Sequence, residues 1–465
     1  EIAQCLVGSE MCIRDRTLTV PEHSLSRYMV ADGWREFGRM TECSNFLCRP
    51  AAVSALNSSH TENLILNSDG EWEVVKKPEW CKLSKTSGNL KGELTVTISE
   101  LPKGDGHREG KIVFSLKGTE VTTECKISQY DYMYKEDECV TLQTATKGNG
   151  IDIVFVGDGW DAESIANGNY LNLVNEQVEH FFGIEPYATY RNRFNVYACM
   201  SMSQETGVNT TSTWCNTRFM TFYAHDCDGN AYLGLDDADG VFDYALSHSP
   251  LKSENLDKSL IVLTLNNNEY GSNTIITENG SAISICCSSE DSYPMDTRGI
   301  IQHEACGHGF GKLAEERISE NRYISIKEQN EIRNAQWRGW YQNISLSGKA
   351  TDVSWADLIL DPRYSDRVDI FEGAYGKTRG VYRAEINTCM NYGIPYFSAA
   401  ARLDIMRRIL QYSGEEFTME KFYATDSDRW GSTGPSTRAD VPDDGRQYIN
   451  SGLHHPVRKV KSKKY

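Results

Sequence analysis

The sequence predicts a multidomain protein in which an all-β domain is followed by an α/β (α+β) domain. Between residues 64 and 129, short runs alternate apolar with polar residues, which is typical of half-buried β-strands. Beyond residue 150, unbroken apolar runs alternate with helical stretches, which is typical of a sheet covered by helices. A length of 465 residues leaves room for two or three domains.

The first residues of the chain differ from the rest. The run Cys5–Arg16 resembles a string that recurs at the ends of unrelated sequences, where it looks like translated sequencing adapter. We therefore expect residues 1–16 to be non-native and exclude them from the fold prediction. On this interpretation the natural N-terminus lies upstream, together with any signal peptide or lipid-attachment cysteine.

Composition narrows the classes of function. The formal net charge of −17 argues against a nucleic-acid partner, because an acidic surface repels phosphates. Basic residues cluster only at 458–464, which we interpret as a solvated end. No run of about twenty apolar residues exists, so the sequence predicts no transmembrane segment.

The cysteines give no simple pattern. All 14 are scattered, with no C-x-x-C pair. This spacing is typical neither of a small disulfide scaffold nor of a structural zinc cluster. Individual bridges, for example Cys43 with Cys48, stay open.

Residues 17–130 are predicted to form a β-sandwich. Alternating runs fall at residues 94–98, 112–116 and 121–127. Two tryptophans of this region, Trp72 and Trp80, fit either the core or a platform for sugar binding. The charged residues and glycines that follow predict a linker at 131–147.

Residues 148–425 are predicted to form the second domain. Its buried strands are expected at 151–156, 194–197, 260–265 and 282–286. A helix is expected from Ala162 to Phe182, and such alternation favours a parallel or mixed sheet. Residues 426–465 are rich in glycine, serine and charged residues, which predicts a loosely attached tail.

The run His303-Glu304-Ala305-Cys306-Gly307-His308 is the chemical centre of the second domain. In the H-E-x-x-H helix of zinc enzymes, histidines four residues apart share one face and bind the metal. Here the step is five residues, which turns a regular α-helix through about 500° and leaves the rings about 140° apart. A widened π-turn of roughly 4.4 residues brings the rings within about 50° of each other. The spacing therefore predicts a π-bulge, which Gly307 and its small neighbours would tolerate.

The motif predicts a role for each polar side chain. His303 and His308 are the expected zinc ligands, and Glu304 is the expected general base, which takes a proton from the zinc-bound water. The alternative is that two histidines lie near a glutamate by chance. Cys306 can offer a thiolate to zinc, but we favour the interpretation of a small buried residue.

A tetrahedral zinc with an open position needs a third protein ligand. We assign Glu315 and keep Glu316 in reserve, because Gly309 and Gly311 give the chain two places to leave the helix and turn back. The alternative is a pair of solvated glutamates, with the true ligand farther downstream.

Two further segments carry candidate residues. The segment Asn387–Gly393 looks like the Met-turn of metzincin peptidases, in which Met390 would pack beneath the metal. Tyr392 would donate a hydrogen bond to the developing oxyanion, or else be a core tyrosine.

The acidic stretch Asp226–Asp239 suggests Ca²⁺ by its oxygen ligands, but it lacks the final glutamate of a calcium loop, so a solvated loop is the favoured alternative.

The residues of both domains resemble known families. Five segments of the second domain are similar to the metzincin-like IgA-peptidase family of bacterial zinc metallopeptidases, and they lie at 151–159, 186–197, 204–208, 303–316 and 371–383. The similarity covers about residues 148–414. After the zinc helix, where that family shows Asp-Glu-Tyr, this chain has Glu315-Glu316-Arg317. From about residue 60, the first domain resembles the immunoglobulin-like BACON domain through Gly70-Glu71-Trp72 and Ile127-Ser128-Gln129.

The resemblance implies an immunoglobulin-like sandwich followed by a metzincin-like zinc peptidase domain with one catalytic Zn²⁺. It implies a secreted or cell-surface endopeptidase, lipid-anchored if an upstream cysteine is acylated, that hydrolyses extracellular host proteins or glycoproteins. Immunoglobulin and mucin-type glycoproteins are the expected substrates, and a glycan is the expected partner of the first domain. In metallopeptidases a strand placed like Ala282–Cys286 runs along the cleft and pairs with the substrate.

Two other functions fit the same residues. A catalytically inactive domain could serve as a glycan- or protein-binding module, with the departure at Glu316-Arg317 marking decay of the site. A zinc amidase could act on cell-wall amides. Metal analysis tests the first alternative, and a screen against peptidoglycan tests the second.

Overall fold

The structure is a computed structural model. It describes residues 17–21, 25–31, 34, 37, 39–43, 46–210, 213–225, 231–235, 237–391, 394–426 and 458–460. These residues divide into two compact units. The first holds the described chain up to Lys135 together with 161–166 and 213–216, and the second holds the remainder.

The first unit is built mainly of strands. Its elements are β1 (Thr17–Pro21), α1 (Leu25–Val30), β2 (Arg39–Cys43), β3 (Leu47–Arg49), β4 (Ala52–Leu56), β5 (His60–Asn67), β6 (Glu71–Lys76), β7 (Cys81–Leu83), β8 (Ser87–Asn89), β9 (Gly92–Ile98), β10 (His107–Leu116), β11 (Thr122–Tyr130) and α2 (Ala162–Ala166). One sheet has the order β4-β11-β10-β6-β8 and another the order β3-β5-β9-β7, while β1 pairs with β2.

The two larger sheets share one hydrophobic core, as the alternating pattern predicts. Inward residues of β5, β9, β10 and β11 all contribute to it. Trp72 is fully buried and packs edge-on against Phe114, with 6.0 Å between ring centroids. Trp72 is therefore a core residue and not a sugar platform. Trp80 is partly buried, with the Arg108 guanidinium 4.5 Å from its ring centroid. The immunoglobulin-like type of this unit stays a prediction.

The second unit contains the remaining elements. Its first half comprises β12 (Cys139–Gln143), β13 (Ile151–Asp158), α3 (Asn169–Phe181), α4 (Tyr187–Tyr190), a 3₁₀ turn (Arg191–Arg193), β14 (Phe194–Cys199), β15 (Phe222–His225), β16 (Ala231–Gly234), α5 (Ala238–His248), a 3₁₀ turn (Ser253–Lys258), β17 (Leu260–Leu265), β18 (Ser272–Thr277) and β19 (Ala282–Cys287). Its second half comprises α6 (Thr297–Ile300), a π-helix (Ile301–Phe310), β20 (Ile318–Tyr323), α7 (Ile326–Trp337), β21 (Ile344–Ser345), α8 (Ala356–Ile359), β22 (Phe371–Ala374), β23 (Gly376–Arg383), a 3₁₀ turn (Cys389–Asn391), α9 (Ala399–Tyr412), α10 (Met419–Thr425) and β24 (Arg458–Val460).

The central sheet of this unit has the order β12-β14-β13-β17-β19-β18-β24. β14, β13, β17 and β19 run parallel to their neighbours in this series, whereas β12 and β18 pair antiparallel. The predicted strands at 151–156, 194–197, 260–265 and 282–286 are all present. Their unbroken apolar runs reflect burial on both faces, since every residue of β17 and β19 is buried.

The expectation that the strand Ala282–Cys286 pairs with substrate is wrong. This segment lies in β19, which is paired with β17 on one side and β18 on the other. Its backbone groups are therefore already used within the sheet. Its position in the sequence, just ahead of the helix that carries His303, did not reveal that β18 would lie outside it in the sheet.

Regular structure is present at three places where the sequence predicted a linker, a single helix or a loose tail. The predicted linker 131–147 contains β12, which pairs with β14 in the central sheet. The predicted helix 162–182 is two helices, α2 and α3, because Gly168 between them has a left-handed φ of 85°. In the predicted tail, Asp426 forms a buried ion pair of 2.6 Å with Arg402, and β24 pairs with β18.

Among the described residues, no helix combines the length and apolar content that crossing a bilayer requires.

Candidate metal centre

The two histidines of the motif lie on a π-helix. The segment Ile301–Phe310 follows α6, whose first turn is capped by the Asp296 carboxylate accepting from Gly299 N at 2.7 Å. A backbone bond of 2.9 Å from Gly311 N to Cys306 O spans five residues, which is the step that a π-helix makes. The rings of His303 and His308 are 4.6 Å apart between centroids. The widened turn that the five-residue spacing predicted is therefore present.

Glu315 joins the two histidines. Its Oε2 lies 3.5 Å from Nε2 of His303 and 4.0 Å from Nε2 of His308. One donor atom from each of the three residues lies within 4.8 Å of the others, and all three residues are buried. This group could hold a metal ion.

The chain reaches Glu315 by a turn directly after the π-helix. The left-handed residue of this turn is Lys312, with a φ of 52°, and not either glycine. Gly309 and Gly311 are needed for close packing instead, because a Cβ atom would meet Ser284 Oγ at the first and the Cys306 carbonyl at the second. The sequence therefore predicted the return of the chain, but it assigned the turn to the wrong residues.

Asn343 fixes the returning segment. Its side-chain oxygen accepts from Ala314 N at 2.8 Å, and its side-chain nitrogen donates to Ala314 O at 2.9 Å. This amide thus replaces a strand partner for the residue next to Glu315. Nothing in the sequence near Asn343 indicated the role, because the contact spans 29 positions.

Backbone carbonyls orient both imidazoles. His303 Nδ1 lies 3.0 Å from Cys389 O, and His308 Nδ1 lies 2.9 Å from Leu313 O. A carbonyl oxygen only accepts, so each Nδ1 carries the proton and donates. Each Nε2 is then left facing Glu315, where it can bind a metal ion once it is deprotonated, and this is the arrangement that metal-binding histidines use.

The electrostatics of the group favour a positive charge between the three side chains. Burial opposes protonation of His303, but the Glu315 carboxylate outweighs it and raises the pKa of His303 to about 10. Burial likewise opposes ionisation of Glu315, yet His303 lowers the pKa of Glu315 to about 2. The pKa of His308 is lowered by burial and by the neighbouring His303. A carboxylate is thus kept ionised in a buried site by the cation beside it.

Glu304 is held by two hydroxyl groups of β18. Ser272 Oγ donates to Oε1 at 3.0 Å, and Thr274 Oγ1 donates to Oε2 at 2.7 Å. Glu304 is 3% exposed and follows His303 directly in the sequence. The sequence analysis missed both hydroxyl residues. A serine and a threonine two positions apart, on one face of a strand, were the signal that could have found them.

Glu316, the reserve ligand, serves another purpose. Its Oε1 accepts from Asn343 Nδ2 at 2.9 Å and its Oε2 from Thr388 Oγ1 at 2.6 Å. Its backbone nitrogen donates to Met390 O at 2.9 Å. Burial raises the pKa of Glu316 to about 7. The carboxylate therefore connects the Met390 segment to the metal segment and is not one of the three converging donors.

Met390 lies under the π-helix. It is fully buried, and its sulfur occupies the space that a side chain at Gly307 would need. Met390 therefore packs against the π-helix, and its role beneath a bound metal stays a prediction. Tyr392 lies outside the described residues, so its role stays a prediction.

Two other predicted metal contacts have different outcomes. Cys306 Sγ points to Phe181 O at 3.5 Å, and its thiol is fully buried, in agreement with the favoured interpretation of a small buried residue.

Asp226, Asp228 and Asp236 of the acidic stretch lie outside the described residues. Asp237 caps α5 by accepting from Gly240 N at 3.0 Å. Among the residues that are described, no group of metal-ligand type falls in this stretch.

Comparisons with solved structures and curated proteins add little. A Bacteroides ovatus GH5 xyloglucanase is 11% identical, with a TM-score of 0.17, and the match covers 46% of this chain and 35% of that one. The C. elegans MSP family member WR4 is 14% identical, with a TM-score of 0.15, over 18% of this chain and 97% of that one. A family 123 glycoside hydrolase from Clostridium perfringens is 9% identical, with a TM-score of 0.15, over 46% and 42%. These scores support no conclusion about fold, and no curated protein matches.

Family models match both parts of the chain. Residues 70–129 match BACON, described as an N-terminal binding domain. Residues 140–362 match IgA Peptidase M64, a range that includes the π-helix and Glu315 and ends before Met390. Residues 140–362 are therefore similar to the IgA Peptidase M64 family of peptidases, and a region similar to BACON precedes them in the chain.

Proposed function

We propose that this protein is a secreted, zinc-dependent endopeptidase that hydrolyses peptide bonds of extracellular proteins. One observation carries the proposal. Three buried donors of His303, His308 and Glu315 converge within 4.8 Å, and a fourth side chain, Glu304, stands next to the first of them. This is the residue set of a hydrolytic zinc site with its general base.

The spacing of the donors fits zinc. Two ligands of a tetrahedral zinc lie about 3.4 Å apart when each metal–ligand bond is about 2.1 Å long. Glu315 Oε2 is 3.5 Å from one imidazole nitrogen and 4.0 Å from the other. Two imidazoles with one carboxylate also favour zinc over calcium, which prefers oxygen ligands alone. We therefore assign His303, His308 and Glu315 as the ligands of one catalytic Zn²⁺.

The chemistry follows from these assignments. Zinc supplies Lewis acidity, which lowers the pKa of a water molecule toward neutrality and polarises the scissile carbonyl. Glu304 accepts the proton of the attacking water and passes it to the leaving amine. Ser272 and Thr274 hold the Glu304 carboxylate in one orientation by hydrogen bonds of 3.0 and 2.7 Å. Tyr392 is proposed to donate a hydrogen bond to the oxyanion.

The proposal also covers the class of substrate and the location of the enzyme. The matched family takes its name from immunoglobulin A, so immunoglobulins are the first substrates to test, followed by mucin-type glycoproteins. The BACON domain is proposed to bind a glycan or a protein partner. Both proposals place the enzyme outside the cell, either free or on the cell surface.

Metal content and cleavage test the proposal together. The purified chain is analysed for bound metal and incubated with a proteome-derived peptide library that includes immunoglobulin and mucin sequences. We expect about one zinc per chain, and cleavage that a chelator abolishes and added zinc restores, while calcium does not. A folded chain with far less than one zinc and no cleavage would instead support an inactive binding module. Cleavage of peptidoglycan amides alone would support an amidase.

A further inference from the structure

Two cysteines face each other across the edge of the central sheet. Cys139 begins β12 and is directly opposite Cys199, which ends β14. Among the strands that the structure describes, β12 is the outermost on its side of the sheet. The two thiols are therefore brought together by strand pairing, although 60 positions separate them in the sequence.

The pairing type suits a cross-strand bridge. Next to the cysteines, Met200 N donates to Glu138 O at 2.8 Å. Glu138 and Met200 are therefore a hydrogen-bonded pair of the antiparallel ladder. Bonded and non-bonded pairs alternate along an antiparallel ladder, which makes the cysteines a non-bonded pair with Cα atoms about 4.5 Å apart. That value falls within the range of about 4.4–6.8 Å that a disulfide requires.

The two side chains lie close enough to interact. The neighbouring Cys199 thiol lowers the pKa of Cys139. Cys139 is partly exposed, whereas Cys199 is fully buried. An oxidant in solution can therefore reach Cys139 first, and Cys139 is also the thiol that ionises more readily.

We propose that Cys139 and Cys199 form a disulfide bond in the mature protein, by exchange with an external disulfide of the glutathione or oxidoreductase class. The Cys139 thiolate attacks the external disulfide and releases one thiolate, leaving a mixed disulfide. Cys199 then attacks the Cys139 sulfur and expels the second external thiolate, which takes the Cys199 proton. One external disulfide is thereby reduced to two thiols as the two cysteines are oxidised to cystine.

The bond would do two things. It fixes the edge strand β12 to β14 and closes the chain between residues 139 and 199 into a loop, which stabilises the fold by restricting the unfolded chain. It also reports the compartment in which the chain folds, because such bonds persist in oxidising surroundings. This inference does not depend on metal binding or on proteolysis.

Peptide mapping tests the bond directly. The protein is produced in an oxidising compartment, its free thiols are alkylated under denaturing conditions without reductant, and it is digested with trypsin. Cys139 lies in the tryptic peptide 136–147, and Cys199 lies in 194–218 together with Cys215. We expect these two peptides to be linked, and to separate on reduction. The variant Cys215→Ser shows which cysteine carries the link, because only a bond to Cys199 survives that change.

Thermal unfolding supplies a second readout. A phosphine reductant is used, since a dithiol would also remove zinc. It should lower the melting temperature of the wild type by about 5 °C and leave that of Cys139→Ser/Cys199→Ser unchanged. Recovery of Cys139 and Cys199 as alkylated thiols in the protein from the oxidising compartment overturns the proposal. A link from Cys139 to Cys215 overturns it as well.

Discussion

His303 Nδ1 donates a hydrogen bond of 3.0 Å to the backbone carbonyl of Cys389. The two residues are 86 positions apart in the chain, so a ring on the π-helix is oriented from a distant segment. The same segment carries Met390 against Gly307 and receives a backbone bond from Glu316. The geometry of the candidate metal site is thus set jointly by the π-helix and by the 3₁₀ turn that packs against it.

Glu304→Gln should abolish peptidase activity without unfolding the protein. Glutamine keeps the size of the side chain but cannot accept the proton of the attacking water, so kcat/KM should fall about a hundred- to ten-thousand-fold. Steady-state hydrolysis of a peptide substrate measures the loss, and metal analysis should still find the wild-type zinc content. Glu320→Gln, at an exposed glutamate of the same unit, is the matched control and should keep full activity. Full activity in Glu304→Gln would rule out the general-base assignment.

Replacing the two adjacent glutamates one at a time identifies the third ligand. Glu315→Gln removes a charged donor of the converging group, so zinc affinity should fall by at least about 100-fold. Glu316→Gln alters a carboxylate that is bonded to Asn343 and Thr388, so it should keep zinc affinity near the wild-type value. Competition with a chromophoric chelator measures both affinities. The opposite ranking of the two variants would transfer the ligand role to Glu316.

Removing the hydroxyl groups that hold Glu304 should slow the reaction without loss of metal. In the double variant Ser272→Ala/Thr274→Val, the Glu304 carboxylate loses both of its hydroxyl donors and should be poorly oriented. We expect kcat to fall of the order of ten-fold with KM and zinc content unchanged. Thr277→Val on the same strand is the control. A change in KM alone would mean that these hydroxyl groups act on substrate binding and not on the base.

A methyl group at residue 307 should disturb the metal site through Met390. In Gly307→Ala the new Cβ atom would overlap the Met390 sulfur, which should cost about 1–3 kcal/mol of unfolding free energy and weaken zinc binding. Shortening the partner in Gly307→Ala/Met390→Ala should restore part of the zinc affinity. Denaturant unfolding and chelator competition provide the two measurements. Equal zinc affinity in the single and double variants would contradict the proposed contact.

The ion pair of Glu415 with Arg193 should make stability depend on pH. The Arg193 side chain, 2.9 Å from Glu415 Oε1, lowers the pKa of Glu415 from the usual 4.5 to about 2. A lowered pKa in the folded state adds stability above pH 4.5, and that stability is lost as the pH falls toward 2. Glu415→Gln should therefore lower the unfolding free energy by about 1 kcal/mol at pH 7 and by much less near pH 2. Denaturant unfolding at both values measures the difference, and an equal loss at both would exclude an electrostatic origin.

Local sequence was sufficient for the features that depend on spacing. The five-residue step between His303 and His308 predicted a widened turn, because only that geometry brings both rings to one side. Period-two alternation predicted β9, β10 and β11 of the first unit, and unbroken apolar runs predicted β13, β14, β17 and β19. Both patterns result from the burial of apolar side chains, whose positions can be read directly from the sequence.

Features that depend on distant pairing could not be predicted. Asn343, Ser272 and Thr274 reach the site through tertiary contacts of 27 to 32 positions, and their own neighbourhoods have no distinctive pattern. β19 is an interior strand because β18 pairs with it. β18 has polar residues at both ends, so it does not stand out as an unbroken apolar run. The split of the predicted helix at Gly168 depends on a backbone angle, which a hydrophobic pattern does not record.

The position of β12 has a practical consequence for producing the second unit by itself. A fragment that starts at Gly148 would lose this strand and leave the backbone of β14 bare along a sheet edge, where bare edges recruit other chains and cause aggregation. A recombinant fragment that starts before Glu136 retains the strand and should be the more soluble of the two.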